Sequence, residues 1–186
     1  EFVSLIGYHI ANEAYRTSTE LAIEKGSFPA FDEKIGDFGF IKKLDKDVRI
    51  AIRENGLRNI SLLTTAPTGT TSLSLGNNCS SGIEPIFSLQ YDRTIRQNDE
   101  TLKTETVYDD GWLEYLDFAK QNNLTIDPTC LPEYIVTSHE VSIESGIDVQ
   151  ASLQYWIDHS ISKTINMPFE TTLDKYKDTF MYAWKK

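Results

Sequence analysis

The sequence predicts an α/β fold with largely parallel strands. Segments whose apolar residues recur every three or four positions alternate with short apolar runs of strand character. Turns rich in glycine, proline and hydroxyl residues separate the two kinds of segment. With 40% hydrophobic and 11% aromatic residues, a chain of 186 is long enough for one domain with a real core.

From the first residues, Val3, Ile6, Ile10, Ala14 and Leu21 predict a helix that stops at Lys25-Gly26. Phe28-Pro29-Ala30-Phe31 is expected to run on as an extended apolar connection, and the glycine and mixed charge of 36–45 suggest a surface loop. A shorter helix is expected over 46–55, with Val48, Ile50, Ala51 and Ile52 apolar and Gly56 as its stop. Ile60, Leu62 and Leu63 then read as a short, mostly buried strand. That strand enters the turn Ala66-Pro67-Thr68-Gly69, after which Thr70-Thr71-Ser72 begins a helix.

Leu75-Gly76-Asn77-Asn78 and Ser80-Ser81-Gly82 are turn chemistry, and Glu84-Pro85 leads into an expected strand over 86–91. The polar stretch 92–107 suggests a short strand or an exposed hairpin. Trp112, Leu116 and Ala119 share one face of a helix over 109–122, whose first turn holds Asp109 and Asp110 where the helix dipole favours them. A strand is expected over 131–136, and a helix over 142–160 on Ile147, Ala151, Leu153, Trp156 and Ile157. A strand over 161–167 ends at Pro168, and a last helix opens at Thr171-Thr172-Leu173-Asp174 and carries Tyr176, Phe180, Ala183 and Trp184 on an apolar face. A start inside a helix without methionine, and an end without a cap, suggest a piece cut at both ends.

The formal net charge of -10 argues against a nucleic-acid surface, which needs a basic stripe to displace counterions. No apolar run approaches the roughly 20 residues that span a bilayer, and no signal peptide opens the chain, so a cytoplasmic location and no membrane partner are expected. Three matches to the glycosylation pattern, at Asn59, Asn78 and Asn123, are then chance. Cys79 and Cys130 fit neither a disulfide framework nor a metal spacing, and three scattered histidines do not suggest zinc, so no metal is expected.

The chemistry concentrates in 59–85. Pro67 presets one backbone angle and removes a donor, and Gly69 is expected to take up a conformation that other residues resist. A strand, a glycine-containing turn and a helix start present free amides and the positive end of a dipole, an arrangement that favours phosphate. On local pattern alone it is equally an ordinary strand-to-helix turn. No Gly-Lys-Ser/Thr follows, and no Gly-x-Gly-x-x-Gly occurs anywhere. Arg58 is read as solvated or ion-paired, Glu84 as a carboxylate that orders its loop, and His139-Glu140 as neighbours that do not face one another.

Several motifs extend this reading. Thr65-Ala66-Pro67-Thr68-Gly69-Thr70-Thr71-Ser72, then Ser80-Ser81-Gly82-Ile83-Glu84-Pro85-Ile86-Phe87, resembles the catalytic barrel of ribonucleotide reductases, specifically the adenosylcobalamin-dependent class II. Leu131-Pro132-Glu133-Tyr134, His139-Glu140, Ser162-Lys163-Thr164-Ile165-Asn166-Met167-Pro168 and the closing Ala183-Trp184-Lys185-Lys186 match in the same order.

The resemblance implies that 1–186 is the C-terminal portion of a ten-stranded α/β barrel with a central finger loop. It also implies reduction of ribonucleotides to deoxyribonucleotides by a thiyl-radical route. Ala66, Pro67, Thr68, Gly69, Thr70, Thr71 and Ser72 would hold the substrate's phosphates. The implied partners are a ribonucleotide, the N-terminal part of the reductase, a dithiol reductant such as thioredoxin and a second copy in a homodimer, with adenosylcobalamin as cofactor. The family's Asn-Pro-Cys-Gly-Glu motif has no match here, and neither cysteine matches its redox pair, so no catalytic residue is assigned to this chain. A class I large subunit and a noncatalytic nucleotide-binding or assembly module are the alternatives.

Overall fold

The computed structural model describes residues 1–75, 80–127 and 131–186, and of Leu73 and Leu75 the backbone alone. The chain divides into two compact units. The first comprises Glu1–Ala66, Ile147–Ser162 and Phe180–Lys186, and the second Pro67–Gly146 and Lys163–Thr179.

In the first unit, helix α1 (Phe2–Lys25) ends where Gly26, at φ 79, donates its amide to Ala22 O. The helix forms as its pattern predicts but buries a different face. Gly7, Ala11, Tyr15, Ser18 and Ala22 are inside, while Ile6 and Ile10 are exposed. The small residues permit close approach, since a Cβ on Gly7 would stand 2.9 Å from Trp156 Cδ1. Helix α2 (Lys46–Asn55) has the predicted bounds and stops at Gly56, also at φ 79.

The expected surface loop before α2 is instead structural. Two short 3-10 turns, Glu33–Asp37 and Ile41–Lys43, bring Ile41 and Leu44 into the core with Ala11, Tyr15, Val48, Ile52 and Leu57. Hydrophobic burial overrides the polar composition there, at about 1.5–3 kcal/mol for each large side chain removed from water. Phe28-Pro29-Ala30-Phe31 is a turn, not an extended run, closed by Phe31 N donating to Phe28 O.

The strands expected over 60–63 and 161–167 do not form. Their pairing reduces to one parallel bridge, Thr65 with Ile161, supported by bonds from Thr65 N to Ser160 O and from Ser162 N to Thr65 O. A side chain occupies the place of a neighbouring strand: the Asp158 carboxylate accepts the amides of Leu62 and Leu63, each at 2.8 Å, and the Tyr15 hydroxyl at 2.6 Å. Burial first, and then this bond to Asp158, push the Tyr15 phenol far above its ordinary pKa.

Helix α5 (Ile143–Gln154) stops short of the expected Ser160 because the Gln154 amide donates to the carbonyls of Ile157 and His159 and holds the chain in a turn. Helix α6 (Leu173–Lys185) leaves its apolar face, including Phe180 and Trp184, exposed.

In the second unit, helix α3 (Gly69–Leu75) is followed by a hairpin of β1 (Gln90–Arg96) and β2 (Leu102–Tyr108), antiparallel from Gln90↔Tyr108 to Arg96↔Leu102. The strand expected over 86–91 therefore begins only at Gln90, and the polar stretch after it is the hairpin. Helix α4 (Asp110–Gln121) is capped by Asp109, whose carboxylate accepts the Trp112 amide. The strand expected over 131–136 is replaced by a turn in which Ile135 N donates to Pro132 O. Among the described residues, this antiparallel hairpin is the one sheet, so the predicted parallel pairing survives only as the Thr65–Ile161 bridge. No described helix is long and apolar enough to cross a membrane.

Candidate functional site

The turn after Ala66 does not use its glycine as the sequence suggests. The left-handed backbone falls on Thr68, at φ 46, whereas Gly69 has no positive φ and nothing within 4 Å of an added Cβ. A β-branched residue in that region carries strain of about 1–3 kcal/mol, which persists only where neighbouring contacts impose it. Two such contacts are present. Thr68 O accepts the Ser72 amide at 2.8 Å, and Thr68 Oγ1 accepts the Gly82 amide at 2.8 Å.

Gly82, at φ 58, belongs to a tight turn closed by Glu84 N donating to Ser81 O at 2.9 Å. The Ser72 hydroxyl donates to Gly69 O at 3.0 Å and lies 3.3 Å from Ser81 Oγ. The hydroxyl-rich turn at 80–84 is thus tied to the loop at 66–72. A positive φ at Gly82 suits glycine, so here the conformational freedom sits in the second turn and not the first.

Glu84 carries the connection further. One carboxylate oxygen accepts the Lys163 ammonium and the other the Thr164 amide, and the ammonium also donates to Thr164 O at 2.8 Å. The Lys163 side chain is 10% exposed and that of Glu84 21%, so the pair is largely shielded from water. The lysine stem crosses α5 at Gly146, where a Cβ would meet Lys163 Cε at 3.2 Å. A cavity of about 30 Å3 beside the pair, lined by Pro85, Ser138, Ser142 and Asn166 among others, has room for a water but not a nucleotide.

Of the seven residues expected to hold phosphate, Ala66 belongs to the first unit and Pro67–Ser72 to the second. Ala66 through Thr71 are exposed, and Ser72 is buried. The reading of Glu84 as a loop-ordering carboxylate agrees with its bonds, but its partner Lys163 was not singled out. The signal was available in Ser-Lys-Thr-Ile-Asn, a cation beside two hydroxyl residues before an apolar run.

The remaining candidates lie elsewhere. Arg58 donates to Gly26 O, at the end of α1. Glu140 turns back on Thr137, whose amide and hydroxyl hold its carboxyl below the usual range, while the His139 ring packs edge-on against Phe87. These neighbours face different partners, as expected of adjacent residues. An unanticipated pair is Ser61 Oγ and His159 Nε2, 2.5 Å apart in the first unit. Cys79, Cys130 and the Gly76-Asn77-Asn78 turn lie outside the described residues.

A family model described as the ribonucleotide reductase barrel domain matches residues 1–186. The vitamin B12-dependent ribonucleoside-diphosphate reductase of Thermoplasma acidophilum is 30% identical over 185 residues, a match covering 94% of this chain and 22% of the relative. The protein of the same name from Mycobacterium tuberculosis is 28% identical, covering 95% and 24%. The ribonucleoside-diphosphate reductase subunit alpha of Mycoplasma pneumoniae is 25% identical, covering 100% and 28%. The chain thus spans about a quarter of the length of these relatives.

Proposed function

The chain belongs to the ribonucleotide reductase barrel-domain family, and from that premise we propose that the whole protein reduces ribonucleotides to deoxyribonucleotides by thiyl-radical chemistry. This chain supplies the C-terminal part of a ten-stranded α/β barrel, and Ala66–Ser72 form its substrate phosphate loop. The observation that supports the loop assignment most is the exposed, strained Thr68 turn, held by the Ser72 amide of its own motif and by the Gly82 amide of the next one.

At that loop, backbone amides of the first helical turn have no acceptor within the helix and are available to phosphate oxygens. Threonine hydroxyls add donors. Thr68 Oγ1 accepts from Gly82, which leaves its own proton free to donate outward. Each hydrogen bond to a charged phosphate oxygen contributes about 1.5–3 kcal/mol. Ser72 is buried with its proton on Gly69 O, so its part is to fix the loop's shape.

The names of the Thermoplasma and Mycobacterium relatives support adenosylcobalamin as the cofactor of the whole protein. The family's Asn-Pro-Cys-Gly-Glu motif has no match in this chain, and neither of its cysteines matches the family's redox pair. Radical generation is therefore assigned to no residue of this chain. The radical and redox cysteines, the thioredoxin-type dithiol and the homodimer contact belong to the same proposal for the whole protein.

The Mycoplasma relative favours a second reading, a class I large subunit served by a separate radical-generating subunit. The test is conversion of a cytidine nucleotide to its deoxy form by the native protein, with a dithiol reductant, with and without adenosylcobalamin. Turnover only with cobalamin supports class II, and a requirement for a second subunit moves the protein to class I. No turnover under either condition replaces both with a noncatalytic nucleotide-binding module.

A further inference from the structure

Lys163 is the cation that a phosphate loop invites as a direct ligand, yet its ammonium is committed to Glu84 and Thr164 O, and its side chain is nine-tenths buried. Two of its three donors are used, and its charge is neutralised by the carboxylate it touches. Such a pair has little long-range field to offer an anion. It does have geometry to offer.

From Glu84 the bonds run in one direction through the second unit. The carboxylate clamps residues 163 and 164 to the turn Ser81–Glu84. Inside that turn the Gly82 amide reaches Thr68 Oγ1 at 2.8 Å, and Ser81 Oγ stands 3.3 Å from Ser72 Oγ. Thr68 is the loop residue held at φ 46, a conformation a threonine keeps only under such constraint. Gly146 leaves the clearance for the lysine stem to lie across α5.

We propose that Glu84 and Lys163 are a positioning pair for the phosphate loop, acting through Gly82 on Thr68 without touching the substrate. The proposal rests on the phosphate-loop reading given above. Removing either charge leaves the other partly buried and unpaired, which loosens the turn and releases Thr68 from its strained backbone.

A double-mutant cycle in the complete reductase tests it, read as the dissociation constants of CDP and CTP by calorimetry and as KM and kcat in turnover. Thr68→Val removes the acceptor for Gly82. Lys163→Met removes the charge and keeps the stem, and Glu84→Gln removes it from the other side. Each single variant is expected to weaken nucleotide binding about tenfold, the equivalent of one hydrogen bond to a charged group, and to raise KM more than it lowers kcat.

The Thr68→Val/Lys163→Met protein should bind no more weakly than Thr68→Val alone, because that change already removes the hydroxyl on which the path from Lys163 ends. Lys163→Arg should restore most of the affinity. Fully multiplying effects overturn the proposal, since they mean that lysine reaches the phosphate by a separate route. Wild-type affinity in Lys163→Met beside a weakened Thr68→Val overturns it as well. Wild-type affinity in a folded Gly69→Val protein removes the phosphate-loop reading itself, a different failure. Should Lys163→Met not fold, Glu84→Gln carries the same cycle.

Discussion

Ala11, Val48, Ile52 and Leu57 are wholly removed from water in the first unit, among rings from Tyr15, Phe28, Phe31 and Phe40. Among the described residues, the second unit buries the hydrophobic side chains of Val107 and Ala119, and otherwise depends on bonds such as Gly82 to Thr68 and Lys163 to Glu84. Apolar burial is non-directional, so it confers stability without fixing any one atom closely. Hydrogen bonds and a shielded ion pair contribute less net free energy but impose distance and angle. The first unit is therefore the stable part and the second the part with specified loop geometry, a division expected where binding loops are drawn from the less stable end of a structure.

The largest effect should come from Ile52→Ala, which removes three carbons from a fully buried site in α2. The expected loss is about 2–5 kcal/mol, read by chemical denaturation. Val107→Ala, on the hairpin of the second unit, should cost about 1 kcal/mol. Equal losses at the two sites would break the contrast.

Next comes Gly56→Ala. At φ 79, with an ideal Cβ only 1.9 Å from Ser27 Oγ, this glycine is required both by backbone and by space. A loss of about 1–3 kcal/mol is expected, seen as a lowered thermal midpoint. An unchanged midpoint would mean that the junction after α2 yields easily and that the first unit is less tightly specified than its core suggests.

A smaller, pH-dependent effect belongs to Tyr15, whose hydroxyl donates to Asp158 at 2.6 Å. Its folded pKa is raised, so the folded protein keeps this proton to higher pH than the unfolded chain, where tyrosine titrates near 10. The contribution is fully present below about pH 10 and declines as pH climbs beyond it. Tyr15→Phe should cost about 1.5 kcal/mol at neutral pH. The gap between the two proteins, measured by denaturation across pH 7 to about 11, should hold steady and then narrow. A gap that widens above pH 10 would refute the assignment.

The sequence made helices legible because their signals are local. Gly26 and Gly56 end α1 and α2 where expected, and Asp109 caps α4. The strands were not legible in the same way. The runs at 60–63 and 161–167 have strand composition, but pairing is a tertiary event, and the bonds of Leu62 and Leu63 went to Asp158, almost a hundred residues away. The buried face of α1 was missed because apolar periodicity picked out Ile6 and Ile10, whereas the inward face carries Gly7, which leaves clearance for Trp156, and the small Ala11. At the candidate site the loop was legible from its motif, but not which residue takes the strained backbone, because a positive φ on Thr68 depends on contacts from Gly82 and Ser72.

The smallest expected effect on stability, and the sharpest on function, is at Gly69. The residue is exposed, adopts no positive φ, and has open space where a side chain would project. Valine is the better helix former of the two by a few tenths of a kcal/mol, so Gly69→Val should leave the thermal midpoint unchanged or slightly raised. Its branched side chain nevertheless stands beside the amides assigned to the substrate phosphates, and binding of a cytidine nucleotide to the complete reductase should weaken while the fold does not. A protein as stable as wild type with tenfold weaker nucleotide binding would separate loop geometry from loop stability. Undiminished affinity in a folded Gly69→Val protein would remove the phosphate-loop reading and leave the strained Thr68 turn to a role in holding segments 66–84 together.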